Sequence, residues 1–357
     1  MGVLSAEQIE AEIARGTVIL AGGVKARQIQ PASIDLTLGR RGWRVRASFL
    51  PPPGRRVTER LADGLMMQEI DLAHGAVLER GCVYLVELAE SLALDSGLAA
   101  SANPKSSTGR IDVFVRLVVD AGGGRRVAFD EVPAGYRGPL YAEISPRTFS
   151  ILVREGSSLN QLRLKRGAPR LTDEALAALH AAEPLIDAGP ADIDGGLGLS
   201  VDLTPPSGPV GWRARRHAAL IDVDRTGALD PDDYFEAIPA PRSGFIILDP
   251  DEFYILASRE ALAVPPDHAA EMTPISPGLG EFRVHYAGFF DPGFGWRAPS
   301  RAVLEVRSHD AAFVLEHGQL VARLVYEKMA ARPARLYGDG VLSNYQGQGL
   351  KLSKHFR

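Results

Sequence analysis

Gly135-Tyr136-Arg137-Gly138-Pro139-Leu140-Tyr141-Ala142-Glu143-Ile144 is a glycine-bounded turn running into an extended, largely apolar stretch that carries one carboxylate. Gly135, Gly138 and Pro139 punctuate the turn, and the apolar and aromatic residues after it read as a strand. A carboxylate in a strand is costly to bury unless it is paired or has a chemical task. Burial also raises its pKa towards the range of a general acid or base. An exposed strand face is the competing reading: Pro139, Tyr141 and Glu143 alternate on one side, which leaves both open.

The same punctuation runs outward in both directions. Short β-branched runs cut by Gly and Pro recur at 83–88, 113–119, 149–153, 253–256 and 302–306, so the expected architecture is mainly β with a few short helices. Ser5 and Gln8 form a capping box for an amphipathic helix containing Ile9 and Ile13, which stops at Gly16. Thr172 caps a second helix over 173–182, and Pro184 lies just beyond it.

The chain also echoes itself. Ser33-Ile34-Asp35-Leu36 returns as Ser200-Val201-Asp202-Leu203, and Glu90-Ser91-Leu92-Ala93-Leu94 returns 170 residues later as Glu260-Ala261-Leu262-Ala263-Val264. Gly138…Glu143…Gly156 matches Gly295…Glu305…Gly318, with the glutamate and the last glycine both displaced by 162. Carrying the upstream offset forward pairs Arg110 with Glu281 and Asp120 with Asp291, each 171 apart. Offsets that hold within blocks and jump between them are what duplication followed by loop insertion leaves. The expected domains are 1–190 and 191–357, divided within the Gly/Pro/Asp-rich stretch 188–198.

The 357 residues suffice for two such cores, and 45% apolar with 24% charged residues is a globular composition. A net charge of −4 gives no basic field for a nucleic-acid backbone. Cys82 is the only cysteine, which excludes an intramolecular disulfide and argues against cysteine-based zinc or iron–sulfur sites. No basic-then-apolar leader and no membrane-length apolar run is visible, so a cytoplasmic location without membrane attachment is expected.

Three further stretches carry chemistry. In Asn103-Pro104-Lys105-Ser106-Ser107-Thr108-Gly109-Arg110, two cations bracket three hydroxyls and a glycine, a set that can converge on phosphate oxygens. It lacks P-loop spacing, and a turn with solvated charges is the plainer reading. Phe289-Phe290-Asp291-Pro292-Gly293-Phe294-Gly295, followed by Leu304-Glu305-Val306, is the second repeat's turn and strand glutamate. Its upstream loop reads Ser276-Pro277-Gly278-Leu279-Gly280-Glu281, with an acid where the first repeat has Arg110. The last stretch, Ser343-Asn344-Tyr345-Gln346-Gly347-Gln348-Gly349-Leu350-Lys351-Leu352-Ser353-Lys354, has no apolar face and cannot order itself. It suits closure over a polar anionic ligand, with a frayed terminus as the alternative.

Pro31-Ala32-Ser33-Ile34-Asp35-Leu36, the 105–110 loop, Gly135-Tyr136-Arg137-Gly138…Glu143, Gly156…Gln161-Leu162 and Tyr345-Gln346-Gly347-Gln348 stand in an order that resembles the deoxycytidine triphosphate deaminase family of the trimeric dUTPase-like superfamily. The resemblance covers nearly the whole chain as a double-length version. It implies two tandem dUTPase-like domains (a β-clip, distorted β-barrel fold). It further implies hydrolytic, zinc-independent conversion of dCTP to dUTP and ammonia, with Mg²⁺ carried on the triphosphate. The strand glutamate, matched by Glu143, would act as general acid/base. Ser106 would help place the water, and Lys105, Ser106, Ser107 and Arg110 would contact phosphates. The tail, through Tyr345, Gln346, Gln348, Lys351 and Lys354, would fold over the nucleotide. Superfamily sites lie at threefold interfaces, so a homo-oligomer, a trimer of tandem chains, is implied.

The departures are specific. The family usually has arginine where Lys105 sits, so a bidentate grip becomes a point charge. Its turn aspartate directly precedes Pro-Gly, as Asp291 does. In the first half the candidate, Asp120, is separated from Gly135 by an insert containing Gly122-Gly123-Gly124-Arg125-Arg126. The tail follows only the second repeat, so a pocket combining first-repeat phosphate residues with second-repeat or neighbouring-chain elements is expected. Glu143 is favoured over Glu305 because its repeat keeps Ser106, Ser107 and Arg110. One rival is a dUTP pyrophosphohydrolase, or a bifunctional enzyme, with Asp120 or Asp291 orienting water at the α-phosphate. A catalytically silent nucleotide-sensing module is the other.

Asp222-Val223-Asp224-Arg225-Thr226-Gly227, with Asp230 and Asp233, imitates a calcium loop. Asp233 replaces the twelfth-position glutamate and Pro231 interrupts the run, so it reads as an acidic loop. The histidines, His285 and His309 among them, show no metal-ligand spacing, and the zinc-deaminase signature is absent.

Overall fold

The computed structural model describes residues 1–124, 126–187, 189–276, 282–284, 288–297, 299–308, 311–339 and 345–357. Two compact units emerge, one comprising Met1–Pro169 with Ala219–Thr226, the other Arg170–Ala218 with Gly227–Arg357. The division therefore falls some twenty residues before the expected 188–198 stretch. The helix Asp173–Ala182 explains the difference: its buried Leu176 belongs to the second unit's apolar core. A helix read as the end of the first repeat is the opening of the second. Conversely, Ala219–Thr226 leaves the second half of the sequence to join the first unit.

Both helices expected from their caps are present. Ala6–Ala14 starts at the Ser5/Gln8 capping box, and the Ala175 N–H donates to Thr172 Oγ1 over 3.3 Å. No described helix is long and apolar enough to cross a membrane.

In the first unit a six-stranded sheet runs in the order Met66–Asp71, Leu38–Val45, Val83–Ala93, Arg137–Pro146, Val113–Val119, with Val18–Leu20 also on Val83–Ala93. A five-stranded sheet built on Asn160–Arg166 and Leu98–Pro104 holds Ile34–Leu36. A three-stranded sheet joins Ala76–Leu78 and Ile151–Val153, with Ile221–Asp222 running parallel on the outer edge. In Arg137–Pro146, Leu140, Ala142 and Ile144 are fully buried on one face. Tyr141 and Glu143 are buried on the other. That second burial comes from chain laid over the sheet. Trp43, Val45, Leu85, Val118 and Tyr141 form an apolar cluster with Val57 and Leu61 of the overlying segment, and Phe49 and Leu50 pack against it.

The second unit repeats the plan. Its five-stranded sheet runs Phe235–Ile238, Gly211–Ala214, Phe253–Leu262, Ser300–Ser308, Phe282–Val284. A four-stranded sheet pairs Leu197–Ser200, Leu320–Lys328, His268–Pro274 and Phe289–Phe290, and Phe245–Leu248 pairs with Phe313–Glu316. Across the first sheet, Trp43 stands opposite Leu85 and Leu85 opposite Glu143. Across the second, Trp212 stands opposite Ile255 and Ile255 opposite Glu305.

The neighbouring glycines fix both ranks. A Cβ on Gly42 would meet Val86 Cγ2 at 3.0 Å, and one on Gly211 would meet Leu256 Cδ2 at 2.4 Å and the Ile255 carbonyl at 2.8 Å. Gly42-Trp43-Arg44 and Gly211-Trp212-Arg213 are thus a further mark of the repeat, too short to stand out without the strand register.

Candidate active site

Glu143 lies mid-strand, 5% exposed. Ser48 Oγ donates to its Oε1 over 2.8 Å, the Phe49 amide donates to the same carboxyl, and Arg116 stands directly opposite on Val113–Val119. The Arg116 guanidinium also sits over the rings of Phe114 and Phe129, 4.4 and 4.7 Å from their centroids. Burial pushes the Glu143 carboxyl above the ordinary range, with Ser48, the Phe49 amide and Arg116 pulling the other way. Of the two readings left open by the alternation, the buried one holds. Neither Ser48 nor Arg116 was legible as a partner, because one comes from a loop and the other from strand register.

The 105–110 loop closes as a single helical turn after the strand Leu98–Pro104: the Gly109 amide donates to the Lys105 carbonyl and the Arg110 amide to that of Ser106. Ser107 and Arg110 are buried and Ser106 is half-buried. Lys105 has a protein partner in this structure. Its ammonium pairs with the buried Asp35 carboxylate and lies 3.4 Å from Ser158 Oγ. The Asp35 of the repeated Ser-Ile-Asp-Leu is therefore the loop's anchor.

The strand ladder sets the spacing. Val113 faces Pro146, and the Arg147 amide extends the ladder to the Asp112 carbonyl. The loop thus lies at one end of this strand pair, with Asp112 about 13 Å along the strand from the rank of Glu143. Asp120 is about 13 Å the other way. It accepts the Val57 N–H over 2.8 Å and so caps the helical turn Val57–Arg60, while burial raises its pKa. Asp120 is thus held apart from Glu143, at the opposite end of the strand from the 105–110 loop.

Glu305, 4% exposed, holds the corresponding rank of the second unit. Asp291 is buried in the turn that leads towards this strand, and its carbonyl accepts the Phe294 amide. Gly295, at φ +65°, leaves no room for a side chain: a Cβ would lie 1.8 Å from the Leu262 carbonyl.

The tail does not fray. Gln346 bridges this turn, its Oε1 accepting the Gly295 N–H and its Nε2 donating to the Gly293 carbonyl, each over 3.2 Å. Gln348 pairs with Arg301 through backbone and side chain, and the Gly347 amide donates to Ser300 Oγ. Tyr345 is buried, its hydroxyl accepting the Lys354 amide, with Lys351 Nζ 5.9 Å from its ring centroid. Phe356 anchors the end edge-on against Tyr234 and Phe235. The stretch read as lacking anything to bury is ordered by hydrogen bonds to a strand edge and by a ring beyond it. Ser343 and Asn344, the counterpart loop 277–281 with Glu281, His285 and His309 lie outside the described residues.

The calcium-like loop has another use. Arg154 holds both oxygens of Asp222, at 2.8 and 2.9 Å, and reaches Asp224 at 3.1 Å. Ser157 Oγ also donates to Asp224, over 2.7 Å. Among the described residues, no group of three or more His, Cys, Asp or Glu side chains is arranged to hold a metal.

Two β units of one plan, each with a buried glutamate at the same sheet rank, define a tandem protein of the dUTPase-like β fold with few helices. Family profiles for 2'-deoxycytidine 5'-triphosphate deaminase match the chain end to end, the N-terminal domain over residues 1–168 and the C-terminal domain over 172–356. The chain belongs to the dCTP deaminase family. It is 51% identical to a 2'-deoxycytidine 5'-triphosphate deaminase from Agrobacterium tumefaciens whose crystal structure superposes with a TM-score of 0.88, covering 93% of this chain and 96% of that one. A "dCTP deaminase, dUMP-forming" from Methanobrevibacter smithii is 35% identical over 130 residues, which make up 33% of this chain and 64% of the relative.

Proposed function

We propose that the protein hydrolyses dCTP, as its magnesium complex, to dUTP and ammonia, with Glu143 as general acid and base. The burial of Glu143 carries this reading. A carboxyl with a raised pKa is ionised enough to take a proton and acidic enough to return it. Glu143 takes a proton from water, and the hydroxide adds to C4 of the cytosine. The carboxyl passes that proton to N3, then takes the proton of the new C4 hydroxyl and hands it to the 4-amino group; the C4–N4 bond breaks, ammonia leaves and C4 becomes the carbonyl of dUTP. Zinc is not invoked, since the single Cys82 cannot supply a cysteine-based set. Ser106, Ser107 and Arg110 contact the phosphates, and Lys105 acts through Asp35 to hold that turn. Tyr345, Gln346, Gln348, Lys351 and Lys354 serve by shaping the second unit's edge. The working assembly is a trimer of tandem chains.

A second product is favoured by one observation, the dUMP-forming name of the Methanobrevibacter relative. The decisive experiment is incubation with dCTP or dUTP and Mg²⁺. Ammonia and dUTP without pyrophosphate are expected. Pyrophosphate released from either nucleotide establishes the dUMP-forming reading, and tight binding without product defeats both.

A further inference from the structure

We propose that Ser48, together with the backbone amide of Phe49, is the positioning device of the Glu143 carboxyl. The inference rests on the general acid/base reading above. Directly across the sheet Glu143 meets Leu85 on one strand and, on the other, Arg116, which lies over two aromatic rings; Tyr141 and Ser145 share its face along its own strand. A carboxyl so placed can swing about its side-chain torsions unless something above the sheet holds it, and proton transfer requires a fixed oxygen. The hold comes from the loop after Leu38–Val45, whose Ser48 hydroxyl meets Oε1 at 2.8 Å.

The loop is itself pinned. The Arg46 amide donates to the Leu65 carbonyl at its start. At its far side the Gly54 amide donates to the Ala121 carbonyl over 2.6 Å, and the Val57 amide to Asp120. Pro51-Pro52-Pro53 lies between these anchors, and the fixed φ of proline removes slack from the span. Ser48 is therefore mounted on a short, stiff bridge over the strand, which a residue serving only as surface cover would not need. Other ionisable groups on this sheet face are Arg116, Tyr141, Glu87, Arg41 and Glu69, with Asp120 at the far end near Arg56.

Ser48 donates to the carboxylate and so favours its charged form; removing the hydroxyl raises the carboxyl pKa further. For Ser48→Ala, the acid limb of kcat/KM should move up by about half to one pH unit. Its kcat should fall roughly tenfold with KM little changed, and Ser48→Thr should restore both. The Glu143 titration followed by carbon NMR in the full chain should show the same displacement, a readout independent of turnover. Wild-type profile and titration in Ser48→Ala, beside an inactive Glu143→Gln, overturn the positioning proposal alone. Undiminished turnover in Glu143→Gln overturns the general-base reading, and with it any catalytic meaning for Ser48. Loss of thermal stability in Ser48→Ala without displacement of the titration shows a purely structural contact and also overturns it.

Discussion

The Trp43–Leu85–Glu143 rank of the first unit and the Trp212–Ile255–Glu305 rank of the second are one construction used twice, but what surrounds them has diverged. In the first unit the aspartate of the repeated Ser-x-Asp meets Lys105, from a loop of hydroxyls and cations. In the second, Asp202 meets Arg301 at 2.5 Å, from the strand that bears the glutamate, and that residue's backbone is zipped to the tail. The sheet ranks persist because backbones in contact leave no room for a slipped register. The partners of the aspartates come from loops and strand ends, which can be exchanged as long as the buried charge is met.

The sharpest way to break the comparison is to remove one carboxylate at a time. Glu143→Gln should cost about 10³-fold in deamination, within the range for a lost general acid/base, while Glu305→Gln stays within about threefold. Equal losses would mean that both ranks work, and a loss only in Glu305→Gln would transfer the role. The same variant has a signature in stability. Burial raises the Glu143 pKa, so the folded chain keeps the proton where the unfolded chain has released it. That contribution is full below the unfolded carboxyl's pKa and is lost as pH rises through the folded value. Melting temperatures of Glu143→Gln relative to wild type should therefore improve with rising pH. A constant difference would mean that the carboxyl is not strained by its burial.

Gly42 and Gly211 test whether the shared ranks are set by close contact. Gly211→Ala drives a methyl into the Ile255 carbonyl and Leu256, and should destabilise by roughly 1–3 kcal/mol in urea unfolding. Gly42→Ala meets mainly side-chain methyls that can yield, and should cost about 1 kcal/mol. The reverse order would dissociate the repeats at the point where they look most alike.

Much of this frame was legible in the sequence. The block offsets pair Glu143 with Glu305, and the structure gives them equivalent ranks; the Ser5 and Thr172 caps mark real helices, and 113–119 is a strand over its full length. These are local or periodic signals. What was not legible depends on partners distant in sequence. Nothing local in the sequence places Asp35 beside Lys105 or the Val57 amide on Asp120. The tail reads as either a ligand-closing or a frayed segment, and its setting against Ser300–Arg301 is invisible in the sequence.

Lys105 can be sorted between its two roles by a double-mutant cycle. If the ammonium serves Asp35, Lys105→Met and Asp35→Asn should destabilise similarly and couple by about 1–2 kcal/mol in denaturant unfolding, with parallel changes in KM for dCTP. A large KM increase confined to Lys105→Met, with no coupling, would return the lysine to the phosphates. The corresponding cycle on Arg301 and Asp202 should show stability coupling and no change in KM, because that pair has no hydroxyl loop attached.

The smallest expected effect concerns the edge where the units differ in strand number. In the first unit Ile151–Val153 carries Ile221–Asp222 as a parallel neighbour, clipped by Arg154 to Asp222 and Asp224. In the second, Phe313–Glu316 pairs with Phe245–Leu248, and Glu316 stands at the position displaced by 162 from Arg154. An acid there could not grip an acidic strap as Arg154 does. The clip is solvent-exposed and screened, hence Arg154→Ala should lower stability only slightly. Its local consequence should be clearer: limited proteolysis within 219–226 should accelerate, and the gain should shrink in high salt, where the wild-type clip is itself screened. Cleavage unchanged by the substitution would mean that buried Ile221 and Val223 hold the strap without the charges.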